Sequence, residues 1–92
     1  MLLNKLYDSI RNKAVYFFKR MCLVAYSEDY LLFNFSSSKF FANVTILRTS
    51  RHTFRVRSFV FKRGYYKNAC YYTFNSISDL CAYLDTLSLQ LV

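Results

Sequence analysis

Four side chains in this sequence could bind zinc or pair a nucleophile with a base: Cys22, His52, Cys70 and Cys81. Their successive separations are 30, 18 and 11 residues. Structural zinc sites draw ligands from knuckles about two to four residues apart, and this spacing contains none. A Cys–His nucleophile needs a third group to orient the imidazole. His52 sits in a predicted turn between Arg51 and Thr53, with no neighbouring carboxylate in the sequence. The five carboxylates, Asp8, Glu28, Asp29, Asp79 and Asp85, show no spacing that sets one as acid and another as base. Gly64 is the only glycine, so a glycine-rich phosphate loop is excluded. The expectation is no enzyme activity, no metal, no other cofactor and no small-molecule substrate.

The chemistry that the residue types do favour is recognition of a polyanion. Between Tyr30 and Ser78 there is no Asp or Glu, yet that stretch carries Lys39, Arg48, Arg51, Arg55, Arg57, Lys62, Arg63 and Lys67. Local anions are lacking, so neighbouring ion pairs do not explain the block. Self-repulsion gives folding nothing, whereas a chain of phosphates would be attracted. Aromatic residues are 21% of the chain, and rings interleaved with cations suit a phosphate backbone whose bases stack. The candidate partner-binding residues are Arg48, Arg51, Arg55, Arg57, Lys62, Arg63, Lys67 and Tyr71. The sequence has no RNP signature, GXXG loop or helix-turn-helix spacing.

These residues need a sheet to present them. Residues 2–21 predict one amphipathic helix, with Leu3, Leu6, Tyr7, Ile10, Ala14, Phe17, Phe18 and Met21 on one face. Lys5, Arg11, Lys13, Lys19 and Arg20 fall on the other. Ser27-Glu28-Asp29 reads as a polar break. Four strands are expected after it, at Tyr30–Phe35, Phe40–Arg48, Thr53–Lys62 and Tyr65–Phe74. In the second, Phe40, Ala42, Val44 and Ile46 alternate with Phe41, Asn43, Thr45 and Leu47. In the third, Phe54, Val56, Ser58 and Val60 alternate with Arg55, Arg57, Phe59 and Phe61. Arg63-Gly64 is the tightest turn signal, since glycine accepts positive φ. Residues 76–88 predict a second helix that opens on the capping pattern Ser76-Ile77-Ser78-Asp79. Its apolar face is Ile77, Leu80, Cys81, Leu84 and Leu87, with Asp85 and Gln90 outward. Cys70 and Cys81 fall on apolar faces, where a free thiol packs as a small hydrophobe.

Short links between strands imply an antiparallel meander. The predicted fold is a two-layer α+β domain spanning residues 1–92. A four-stranded antiparallel sheet carries an N-terminal and a C-terminal helix on one face, in the order αββββα, and the other face is open. At 92 residues there is room for one core only. With 54% hydrophobic residues and no proline, the chain is neither disordered nor a linker. The net charge is +8, from 13 Lys and Arg against 5 Asp and Glu. The apolar runs are far too short to span a bilayer, and Asn4, Lys5 and Asp8 interrupt any signal-peptide core. A location in a reducing cytosol is therefore expected, with no membrane partner.

The basic block from Arg48 to Lys67, the amphipathic opening from Leu3 to Met21, the size and the one-sided charge together resemble the small phage-encoded anti-CRISPR proteins. The likeness is to the basic inhibitors of the type I-F CRISPR surveillance complex. It implies a partner made of Cas proteins and guide RNA, and an action by blocking hybridisation of target DNA. The alternative reading of the same residues is a stand-alone RNA- or DNA-binding regulatory domain.

Overall fold

The computed structural model describes residues 5–62 and 66–91, with side chains excepted at 66–68. The described residues form an α+β domain: two short helices, five antiparallel strands and a helix toward the C-terminus. The helices are α1 (Lys5–Arg11), α2 (Val15–Arg20) and α3 (Ile77–Leu89). The strands are β1 (Cys22–Ser27), β2 (Tyr30–Ser36), β3 (Phe40–Ser50), β4 (Thr53–Lys62) and β5 (Tyr66–Phe74). They form one open sheet in the order β1-β2-β3-β4-β5, a meander. No helix among the described residues is long and apolar enough to cross a membrane.

Two expectations are corrected. The sheet has five strands, not four, because Cys22–Ser27 pairs with β2 through a two-residue turn at Glu28-Asp29. This stretch has no two-residue alternation to announce it: only Leu23 is partly shielded, and a bulge between Leu23 and Ala25 breaks the register. The N-terminal helix is also two helices. Lys13 and Ala14 both donate to the Ile10 carbonyl, and Ala14 leaves helical geometry at φ −112°, ψ 62°. The break carries neither Gly nor Pro. What stabilises it comes from the far end of the chain. Asp85 Oδ1 on α3 accepts the Phe17 backbone N–H at 3.0 Å, filling a donor that Ala14 cannot cap. Asp85, expected to point outward, thus binds the helix layer together.

One face of the sheet holds the core. Leu31 and Phe33 of β2, Ala42, Val44 and Ile46 of β3, and Phe54 and Val56 of β4 are buried there. They pack with Leu6, Ile10, Phe17, Leu80, Leu84 and Leu87 from the helices. Phe17 and Phe33 meet edge-on, ring centroids 4.8 Å apart, an arrangement that suits aromatic quadrupoles. Ser58, the inward polar residue of β4, is 2% exposed, and its hydroxyl is hydrogen-bonded to the Tyr83 hydroxyl of α3 at 2.7 Å. Ser76 Oγ accepts from the Asp79 backbone N–H at 3.1 Å, so α3 starts where the capping pattern places it.

Candidate nucleic-acid interface

The period-two alternation of β4 that sends Phe54 and Val56 into the core sends Arg55 and Arg57 out of the opposite face. Register then assembles their neighbours. Arg57 lies between Thr45 and Tyr71 in one row across the sheet, and Arg55 lies between Leu47 and Thr73 in the next. Asn43, Phe59 and Ala69 form a third row, with Asn34 beyond Asn43. Arg55, Arg57, Leu47, Tyr71 and Thr73 are exposed, and Tyr71 is 72% exposed. Two residues of strand separate Arg55 from Arg57, about 6.6–6.8 Å along the chain.

Two hollows flank the Arg57–Tyr71 pair. One, of about 460 Å³, is bounded by Thr45, Leu47, Arg55 and Thr73 as well as the pair. The other, of about 320 Å³, lies toward Phe41, Asn43, Phe59 and Ala69. Thr45 Oγ1, at the first, is buried and has no hydrogen-bond partner among the described residues. No described residue of this face is a carboxylate. Asp8 belongs to α1, Asp79 and Asp85 to α3, and Glu28 and Asp29 to the β1–β2 turn. The field over the face is therefore set by cations and by ring quadrupoles.

The eight candidate residues do not all meet here. Arg55, Arg57 and Tyr71 do. Arg51 is exposed at the tip of the β3–β4 hairpin. Arg48 lies elsewhere: register sets it opposite the buried Phe54, on the helix-covered side. It is also paired, since its Nη2 and Nε donate to Asp29 Oδ1 at 2.6 and 2.9 Å, and its backbone N–H donates to the Asp29 carbonyl. The acid-free block thus borrows an anion from 19 residues away. Lys62 also lies away from this face. It stands opposite Phe40, which packs against the core, so it too belongs to the helix side. Arg63 lies outside the described residues, as does the predicted Arg63-Gly64 turn. Lys67 pairs with Phe61 through its backbone. Sequence alternation had already separated Asn43, Thr45 and Leu47 from the core positions. The two hollows came only with the strand register.

The thiols are dispersed. Cys22 is exposed, Cys70 is half-buried and Cys81 is 3% exposed. Burial pushes the Cys81 thiol up to about 11. The hydrogen bond with Cys70 is the main cause that raises the Tyr72 hydroxyl, whereas burial is the main cause for Tyr83. Among the described residues, no three of His, Cys, Asp and Glu gather where a metal ion could be held.

No protein-family model matches the chain, and no curated protein or solved structure matches it significantly.

Proposed function

We propose that this chain is a binding protein rather than an enzyme, and that it works by laying its open sheet face against the phosphates of a nucleic acid, free or carried in a ribonucleoprotein. The observation that supports this reading is the face itself: Arg55 and Arg57 leave one strand side by side, next to the exposed ring of Tyr71, with no carboxylate among the described residues of that surface. An arginine fork matches phosphate geometry and keeps its charge at any ordinary pH.

The resemblance to anti-CRISPR inhibitors makes the guide RNA and Cas proteins of a CRISPR surveillance complex the first partner to test. Action there is occlusion: a target strand that cannot approach cannot pair with the guide. A stand-alone nucleic-acid binder is the second reading, favoured by the exposure of Tyr71, which a base can reach directly.

The experiment is capture with the tagged protein from cells that contain a type I-F complex, with and without nuclease. The proposal expects RNA in the captured material, lost on nuclease treatment and lost with the Arg55→Glu/Arg57→Glu variant. Capture of protein alone, unaffected by either, contradicts it.

A further inference from the structure

We infer that the open face is a site for single-stranded nucleic acid, with one base stacked on Tyr71 and the adjoining phosphates on Arg55 and Arg57. This deepens the reading above and rests on it. Charge alone does not choose between a duplex and a single strand, because both offer phosphates. The rings choose. In a duplex the faces of the bases are covered by their neighbours, so an exposed aromatic side chain finds no base face there except by unstacking. A single strand offers every base face freely.

Tyr71 is placed to use this. It is 72% exposed and stands in register with Arg57, about one strand spacing away. Hollows open on both sides of it. The hollow toward Phe41 and Phe59 adds a half-buried amide, Asn43, beside the rings. An amide presents a donor and an acceptor together, the pair needed to read a base edge. Arg55 and Arg57 repeat at the two-residue strand period, a step that successive phosphates of an extended strand can follow. The occupant is thus an extended run of nucleotides lying along β4, its phosphates toward the arginines and a base over Tyr71.

The test is fluorescence anisotropy with a labelled single strand of roughly ten nucleotides, a length typical for sheet-based binders, made as RNA and as DNA, and with the blunt duplex of the same sequence. The inference predicts that the single strand binds about ten-fold or more tightly than the duplex. Tyr71→Ala should weaken single-strand binding by about ten-fold, as loss of one stacked base does. It should leave duplex binding and the salt dependence unchanged. Tyr71→Phe should bind as the parent does, because the ring remains. Asn43→Ala should change the preference among bases without changing the salt dependence. Equal affinity for single strand and duplex, or no effect of Tyr71→Ala, overturns the inference. The phosphate reading then still stands if Arg55→Gln/Arg57→Gln weakens both probes. Binding to neither probe overturns the inference and the stand-alone reading with it, while the ribonucleoprotein reading answers to the capture experiment.

Discussion

Arg57 on β4 and Tyr71 on β5 face one another in the same row of the sheet, and both side chains leave it on the side that the helices do not cover. The pair joins a permanent positive charge to an accessible ring on a rigid backbone. Either property can be removed without touching the core, because the buried residues of β4 point the other way. The account of this surface is therefore separable from the account of stability, and each has its own tests.

The core is tested at Leu80, which is 0% exposed on α3. Leu80→Ala is expected to cost about 2–5 kcal/mol, from lost burial and the cavity left behind. Urea denaturation measures this. An unchanged midpoint would show that α3 does not close the sheet.

Asp85 is tested as the cap of α2. Asp85→Ala leaves the Phe17 backbone N–H without its acceptor and is expected to cost about 0.5–2 kcal/mol. Asp85→Asn keeps an acceptor oxygen and should lose less. Equal losses in the two variants would mean that the 3.0 Å contact does not stabilise the break between α1 and α2.

The Ser58–Tyr83 bond links β4 to α3. Tyr83→Phe strands a buried hydroxyl, at an expected cost of about 1–3 kcal/mol. Adding Ser58→Ala removes the stranded group, so the double variant should be more stable than the two single losses together imply. Strict additivity in the double-mutant cycle would argue that the hydroxyls are not coupled.

The thiols give a pH dependence. Cys81 keeps its proton up to about 11 in the folded chain, against an ordinary value of 9.0. Once the pH passes about 9, the unfolded chain gives up a proton that the folded one retains. Stability is thus complete below the unfolded value and is lost as pH rises toward the folded one, by at most about 2–3 kcal/mol for this group. Tyr83, raised in the same direction, adds to the alkaline loss. Denaturation midpoints at pH 8 and above 10 should fall less in Cys81→Ala than in the parent. At pH 8 an aromatic disulfide reagent should find Cys22 first and Cys81 only after unfolding.

How much of this could be read before folding depends on where each signal lies. The face of β4 was legible, because alternation of Phe54 and Val56 with Arg55 and Arg57 is a property of neighbours in the chain. So was the start of α3, which Ser76 and Asp79 set between themselves. The break at Ala14 was not, since the group that supports it is Asp85, 68 residues beyond the Phe17 N–H that it accepts. Nor was β1 legible. It is an edge strand whose apolar Val24 and Tyr26 remain 54% and 48% exposed, so its pattern reports no buried face. For Arg48 and Lys62 the sequence shows the charge but not the face. The side of the sheet each takes depends on cross-strand partners, Phe54 and Phe40.

The central claim is that Arg55 and Arg57 meet phosphates, and salt dependence tests it most directly. Each phosphate contact to a single strand contributes about 0.7 to the slope of log affinity against log salt, so three or four contacts give a slope of about −2 to −3. Measured by anisotropy over a salt series, Arg55→Gln/Arg57→Gln should flatten that slope by about 1.4 and weaken binding at low salt about ten-fold or more. The denaturation midpoint should hardly move, since exposed charges add little to stability. A slope and an affinity unchanged by the double substitution would contradict the claim and move the working surface away from this face.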